Sequence, residues 1–212
     1  MILTFDDESF RPSCDILVRK DKDLKRIIKE HGYPPMWTRP ATFQTLILTI
    51  LEQQVSLASA YAAFKKLRDY IGNITPEAVL ELSDEELRAC YFSRQKIVYA
   101  RELARAVLSK QLRFKKLFSL MDEDIRQEMK KIKGIGDWTV DVFLMHALRR
   151  TDLFPLGDIA LVNSLKFTKQ LLPTVSRDEM LAIAEPWRPY RSIAAMILWH
   201  DYIQKRGIKL QG

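Results

Sequence analysis

Apolar residues recur at the three-and-four spacing of an α-helix along almost the whole chain, and this pattern limits the fold more than any other feature. In residues 57–71 the apolar side chains at this spacing are Leu57, Tyr61, Phe64, Leu67 and Ile71. Only 7 of the 212 residues are glycine, and the 9 prolines are scattered, so few positions interrupt the pattern. The sequence therefore predicts an all-α fold.

Start and stop signals divide this pattern into separate helices. Ser83 with Glu86 and Ser176 with Glu179 form capping boxes, and Thr75 precedes a proline at a first helical position. Residues 1–20 are left unassigned, although residues 15–18 would fit a short extended piece. The predicted helices are 21–31, 41–55, 57–71, 76–81, 84–90, 94–110, 122–131, 137–150, 158–172, 177–185 and 190–205.

The charge balance favours a polyanionic partner. The chain has 34 basic and 27 acidic residues, a formal charge of +7 and a pI near 9.4, which suits nucleic acid, although many basic proteins bind none. Cys14 and Cys90 are too few for an iron–sulfur cluster or a four-cysteine zinc site, which favours a reducing compartment. The apolar runs are far shorter than the roughly 20 residues that span a bilayer. We therefore expect a soluble, intracellular protein with no membrane partner.

The strongest local signal is a hairpin between two predicted helices. One helix ends before Gly134-Ile135-Gly136, and the next begins near Asp137. Two glycines around one apolar residue let a phosphate approach main-chain N–H groups at the positive end of the second helix. Gly-x-Gly alone would also fit a glycine cap followed by a turn between two core helices.

An aspartate follows this hairpin about twenty residues later in the sequence. Asp158 lies 22 positions after Gly136 and directly before an apolar helical run. An aspartate at such a place usually caps the helix through the free N–H groups of its first turn. The same bonds, with the helix dipole, would also keep a functional carboxylate ionised.

The hairpin and Asp158 together resemble the helix-hairpin-helix superfamily of DNA repair glycosylases, which places a catalytic aspartate about twenty residues after an apolar-x-Gly-apolar-Gly hairpin. The segment 187–192 followed by Trp199 resembles the ending of the alkylpurine (3-methyladenine) branch. The resemblance covers about residues 40–204. It implies one helical lobe from 40 to 150, with the motif at about 122–148, a second lobe of 1–39 with 151–212, and an active site in the cleft between them. The N-terminal β domain of larger relatives is expected to be absent.

The resemblance also implies roles for individual residues. Asp158 would be catalytic, and the base pocket would contain Trp138, Trp199 and Tyr190, for which core packing is the alternative. Other pocket aromatics of the family fall on Val142 and Ile159 here. DNA backbone binding is assigned to the hairpin group of Lys133, Gly134, Ile135, Gly136 and Thr139.

Two further segments match the elements that enter the duplex in relatives. Gln53 and Gln54 lie in a junction of the family's Leu-x-Gln-x-x-Ser type and could fill the gap left by a flipped base, although a polar turn is the alternative. Ser93 and Arg94 match a loop that wedges the minor groove, while Ser93 is also a good N-cap.

The sequence thus predicts a DNA glycosylase that excises 3-methyladenine and 7-methylguanine. Bifunctional relatives carry a nucleophilic lysine where this chain has Trp138, so no strand nicking is expected. The alternatives are another lesion, such as hypoxanthine, ethenoadenine or uracil, or a DNA-damage-binding module without chemistry. We expect a monomer on double-stranded DNA and no catalytic metal, because the histidines, His31, His146 and His200, are scattered singly. By resemblance, the hairpin carbonyls could hold a monovalent cation.

Overall fold

The structure, a computed structural model, describes residues 2–208. These residues form thirteen α-helices, one turn of 3₁₀ helix and a single isolated β-bridge between Thr4 and Arg150, so the all-α prediction is confirmed. None of these helices has the length and apolarity that crossing a membrane requires. The chain divides into two compact units: the first holds the described residues up to Thr38 and from Leu144 onward, and the second holds Arg39–Phe143.

The second unit is built around a buried helix. Its helices are α3 (Phe43–Glu52), α4 (Leu57–Ile71), α5 (Pro76–Glu81), α6 (Asp84–Ala89), α7 (Arg94–Leu108), α8 (Phe114–Leu117), α9 (Asp122–Lys130) and α10 (Asp137–His146), whose last residues belong to the first unit. Helix α3 buries eight of its ten residues and packs against α4 and α7. The buried carboxylate of Glu52 accepts two bonds from Arg39, at 2.8 and 2.6 Å, so the core holds no unpaired charge there.

The first unit also surrounds one helix. It contains α1 (Phe10–Lys20), α2 (Lys22–His31), α11 (Ile159–Thr168), α12 (Arg177–Ala184), the 3₁₀ turn Glu185–Trp187 and α13 (Arg191–Lys205). Helix α13 buries every residue from Ser192 to Asp201 and packs against α11, α2 and α1. A helix that is buried all round is typical of a core position, and this one fixes the place of Trp199.

The predicted starts are confirmed more closely than the predicted ends. Both capping boxes and the Thr75 cap are present. The ends predicted at 150 and 172 are wrong, because α10 ends at His146 and α11 at Thr168. Arg149 and Gln170 have φ values of +55° and +54°, and a left-handed residue cannot continue a right-handed helix.

Helix α1 corrects the interpretation of the N-terminal segment. The extended piece considered for residues 15–18 is wrong, since these residues lie inside α1. Phe10, Cys14 and Leu17 are spaced one helical turn apart and are buried, where α1 packs against α2 and α13. Tertiary packing of this face therefore outweighs the local β preference of Ile16 and Val18. Helix α8 was not predicted either.

Both cysteines are free and buried, with 0% of Cys14 and 2% of Cys90 exposed. Burial, together with the nearby Asp15 carboxylate, raises the pKa of the Cys14 thiol to about 12. Burial also raises the pKa of Cys90. Both thiols are therefore protonated at neutral pH.

Candidate active site

In the first unit, Asp158 lies at the start of a helix, where a main-chain N–H and an indole N–H both donate to it. It is the N-cap of α11, and its Oδ1 accepts a bond of 2.8 Å from the Leu161 N–H. The indole Nε1 of Trp199 donates to the same oxygen at 3.0 Å. Asp158 is half-buried, and Ile159 beside it is 75% exposed. The arrangement presents a fixed carboxylate beside an exposed apolar side chain, at the positive end of a helix dipole.

Trp199 is itself fixed from a second side. Its ring lies at 5.6 Å from that of His146, centroid to centroid, with 25° between the planes. His146 Nδ1 lies 2.7 Å from the carbonyl oxygen of Trp37. Only 9% of Trp199 is exposed, so its ring is mostly covered and its N–H is used inside the protein.

In the second unit, one of the two hairpin glycines, Gly134, adopts the left-handed backbone that glycine permits, whereas Gly136 does not. Gly134 has a φ of +96°, and a β-carbon there would collide with the ring of Tyr99. Ile132 and Ile135 are buried and anchor the turn, while Lys133 and Gly136 are exposed. The hairpin therefore presents its backbone outward at the start of α10, as a phosphate-binding turn requires.

Gln53 ties the hairpin to the end of α3. Its Nε2 donates to the carbonyl of Gly134 at 2.9 Å and to the Thr139 hydroxyl at 3.0 Å. Thr139 is 1% exposed, so its side chain lies beneath the hairpin. The structure thus uses both side chains to support the turn from within.

The neighbouring Gln54 is placed quite differently. It is exposed and has a φ of +57°. Ser93 caps α7 by accepting a bond from the Lys96 N–H, and both Ser93 and Arg94 are exposed. Tyr91, two residues earlier, was not singled out by the sequence; it has a φ of +65° and is 64% exposed.

The remaining aromatic predictions concern Trp138 in the second unit and Tyr190 in the first. Trp138 is half-buried as the second residue of α10, and Val142, one turn later, is buried. Tyr190 is half-buried and precedes α13. It lies nine residues before Trp199, about 13 Å along the helix axis, so the two rings do not share a turn.

Acidic residues engage part of the basic charge around the hairpin. Asp137 accepts bonds from Lys130 at 2.8 Å and from Arg126 at 3.0 Å. The bond from Lys130 is the main reason that the pKa of Asp137 is lowered; burial opposes it, and the bond from Arg126 lowers the pKa further. Lys131 pairs with Glu128 at 2.8 Å. Lys133 is exposed at the tip.

Atoms that could bind a cation lie in two places. The carbonyls of Ile132, Gly134 and Gly136 each accept one bond within the protein, and a carbonyl oxygen has a second lone pair for a monovalent ion. Elsewhere, donor atoms of Glu30, His31 and Asp201 lie within 4.8 Å of one another. The Lys205 ammonium already lies 2.8 Å from Asp201 and offsets the charge of that carboxylate. The cation at the hairpin and the lack of a catalytic metal stay predictions.

His146 and Tyr99 make contacts at the site that the sequence alone does not predict. His146 meets Trp37 and Trp199, which are more than fifty residues away in either direction, and Tyr99 reaches Gly134 from another helix. Neither histidine nor tyrosine belongs to a local motif here. Only the folded chain brings these partners together.

Comparisons with known proteins show which family the chain belongs to. The model of the HhH-GPD superfamily of base excision DNA repair proteins matches residues 47–189. The Bacillus subtilis protein YfjP is 35% identical over 186 residues, which are 84% of this chain and 65% of YfjP, so the chain spans slightly less than two thirds of that relative. DNA-3-methyladenine glycosylase 1 of Schizosaccharomyces pombe is 30% identical over 186 residues, 84% of this chain and 82% of that protein.

A solved structure extends the similarity to the fold. The S. pombe 3-methyladenine DNA glycosylase in complex with abasic DNA superposes with a TM-score of 0.82 at 28% identity, over 89% of this chain and 95% of that one. The family model covers more than half of the chain and includes both the hairpin and Asp158. The chain therefore belongs to the HhH-GPD superfamily of base excision DNA repair proteins.

Proposed function

We propose that this protein is a monofunctional DNA glycosylase that excises alkylated purines such as 3-methyladenine and 7-methylguanine. The observation that carries the proposal is Asp158, which Leu161 and Trp199 hold at the start of α11. The 3-methyladenine activity in the name of the S. pombe relative supports the substrate class.

Asp158 serves the step in which the base departs. When the N-glycosidic bond breaks, its electron pair leaves with the base, and positive charge develops on the sugar. An alkylated purine that carries a formal positive charge departs as a neutral molecule, and water then adds to C1′ while losing a proton. At about 4 Å and an effective dielectric near 20, one carboxylate stabilises the sugar cation by roughly 4 kcal/mol, or about a thousandfold in rate.

Other residues would bind and hold open the DNA. Lys133 and the exposed backbone of the hairpin suit the phosphates. Of the two glutamines, Gln54 is the better candidate to fill the gap left by a flipped base, because Gln53 is used under the hairpin. Aromatic faces such as Trp138 would favour a cationic purine over a neutral one by about 1 to 2 kcal/mol.

The identity of residue 138 supports cleavage without strand nicking. A nucleophilic lysine, which forms a Schiff base with the sugar, would be needed for lyase chemistry. The indole of Trp138 has no such nucleophile. The product would be an intact strand with an abasic site.

The test compares wild type, Asp158→Asn and Asp178→Asn on duplex DNA that contains 3-methyladenine or 7-methylguanine. Asp178 is an exposed carboxylate in the first turn of α12, so its replacement controls for the loss of one charge. Free base and strand breaks are measured before and after alkali. We expect release by wild type and Asp178→Asn alone, with breaks only after alkali, and unchanged DNA binding by Asp158→Asn.

Three results would contradict the proposal. Breaks before alkali would show lyase chemistry, and equal release by Asp158→Asn would remove the carboxylate from the mechanism. If wild type binds the DNA and releases neither purine, the substrate class is wrong. Duplexes with hypoxanthine, ethenoadenine or uracil then distinguish another lesion from a binding module without chemistry.

A further inference from the structure

His146 lies at one end of a series of contacts that leads to Asp158. Its ring stacks on Trp199 at a centroid distance of 5.6 Å, and the indole N–H of Trp199 donates to Asp158 at 3.0 Å. At the other end, His146 Nδ1 lies 2.7 Å from the carbonyl of Trp37. All four residues belong to the first unit.

The contact with Trp37 fixes the orientation of the imidazole. A backbone carbonyl only accepts hydrogen bonds, so Nδ1 of His146 must carry the proton and donate it. That bond sets the rotation of the ring about its last side-chain torsion. Because the ring is planar and lies 25° from the plane of Trp199, fixing it also limits the tilt of the indole.

The position of the indole in turn determines one bond to the carboxylate. A tryptophan has a single N–H donor, and a tilt of its ring carries that donor away from the Asp158 oxygen. The Leu161 N–H would still donate to the same oxygen, but the carboxylate would lose the restraint that the indole supplies from the other side. Two donors from different directions fix a carboxylate better than one.

We propose that His146 is a positioning residue, which holds Trp199 so that its indole N–H keeps Asp158 in place for excision. The proposal rests on the proposed function for its consequence in catalysis. A small displacement of a catalytic group slows the chemical step much more than it weakens binding, because the effect is felt in the transition state. His146 should therefore act on the rate of excision and leave DNA affinity unchanged.

Three variants separate the ring from the hydrogen bond. His146→Phe keeps a stacking ring and loses the bond to Trp37, His146→Asn keeps a donor close to Nδ1 and loses the ring, and His146→Ala loses both. We expect single-turnover excision to fall about tenfold in His146→Ala and less in the other two. Affinity for DNA with an uncleavable abasic analogue should stay within about twofold. Phe10→Leu, a core substitution in α1, controls for lost stability and should keep the wild-type rate.

A double-variant comparison tests whether His146 acts through Trp199. Trp199→Phe keeps a ring and removes the N–H donor. In that background, His146→Ala should slow excision no further, because the bond to Asp158 is already lost. Equal factors in both backgrounds, or an unchanged rate in His146→Ala, would overturn the proposal.

A spectroscopic measurement keeps this test separate from the activity. The chain has 4 tryptophans, so its four indole N–H signals can be assigned in a ¹⁵N–¹H spectrum by single substitutions with phenylalanine. The Trp199 signal should shift on Asp158→Asn and on His146→Ala, but not on Phe10→Leu. If wild type excises no alkylated purine while these shifts occur, the proposed function fails and the positioning contact stands. An unmoved Trp199 signal in His146→Ala overturns the positioning role itself.

Discussion

At Gly134 the backbone adopts a φ of +96°, and the ring of Tyr99 fills the space into which a β-carbon would project. Gly72 has a similar φ of +74°, but a β-carbon there would meet nothing within 4 Å. A side chain at either glycine would therefore strain the backbone. At Gly134 it would also collide with the ring of Tyr99, which belongs to a neighbouring helix.

We expect Gly134→Ala to lower the free energy of unfolding by about 3 kcal/mol, as strain and overpacking add. Gly72→Ala should cost about 1 to 2 kcal/mol from strain alone. Urea unfolding measures both values. DNA binding by the folded protein should weaken only in Gly134→Ala, because only this substitution displaces the proposed phosphate-binding turn. Equal losses of stability would contradict the contact with Tyr99.

The adjacent glutamines should separate two effects on DNA. Gln53→Ala removes the bonds to Gly134 and Thr139, so it should weaken binding to undamaged and damaged duplexes alike. Gln54→Ala leaves the hairpin intact and should slow excision while it keeps the affinity for undamaged DNA. Fluorescence anisotropy and single-turnover kinetics distinguish these outcomes. The reverse pattern would assign the plug to Gln53.

At the scale of elements, the sequence predicts the starts of helices better than the features that depend on tertiary packing. Ser83, Ser176 and Thr75 start helices through bonds to nearby N–H groups, so local sequence is sufficient to find them. Helix α1 and the end of α10 depend on tertiary packing and on a left-handed residue at Arg149, which no local pattern specifies.

The candidate site shows the same limit. The spacing from Gly136 to Asp158 was visible in the sequence because it lies within one segment of the chain. Two side-chain donors, by contrast, lie far from their acceptors along the chain. Trp199 donates to Asp158, and Gln53 donates to the Gly134 carbonyl. The motif suggests a role for Gln53, but the direction of its side chain depends on tertiary packing. In the structure this side chain points toward the hairpin.

The carboxylate of Asp21, at the start of α2, should make the stability of the protein depend on pH. Asp21 caps α2 and accepts bonds from Lys169 at 2.7 Å and from Trp187 at 2.9 Å. Burial alone would raise the pKa of the Asp21 carboxyl, but the bonds from Lys169 and Trp187 outweigh it and lower the pKa below 3.8. The ionised form is thus favoured in the folded protein.

A lowered pKa in the folded state stabilises the protein above pH 3.8, and this contribution is lost as the pH falls through the folded value. Asp21→Asn keeps an N-cap but loses the charge. It should destabilise the protein by about 2 kcal/mol at pH 7, and the difference from wild type should shrink below pH 3.8. Thermal unfolding from pH 7 to 3 checks this. A difference that does not depend on pH would exclude the charge as its cause.

For the whole molecule, the formal charge of +7 gives long-range attraction to DNA wherever it is placed, whereas a phosphate contact depends on position. Lys133 is exposed at the hairpin, and Lys29 is exposed on α2. Replacing either with alanine removes one positive charge from the molecule.

We expect Lys133→Ala to reduce the slope of log affinity against log salt by about 1, as the loss of one phosphate contact does. Lys29→Ala should change the slope little, although the net charge falls equally. Binding measured between 50 and 300 mM salt, roughly the range over which such slopes are resolved, tests this. Equal slopes for both variants would mean that net charge alone attracts the DNA.

The burial of both thiols affects how readily the protein is chemically modified. The thiolate, and not the thiol, reacts with electrophiles, and because the pKa of Cys14 is raised to about 12, its thiol stays protonated at pH 7. Cys90 is covered as well, with 2% exposed. Methylating reagents that damage DNA therefore find both cysteines of the chain protonated and shielded. If the proposed function is correct, these two cysteines are protected from the alkylating reagents that create the substrate.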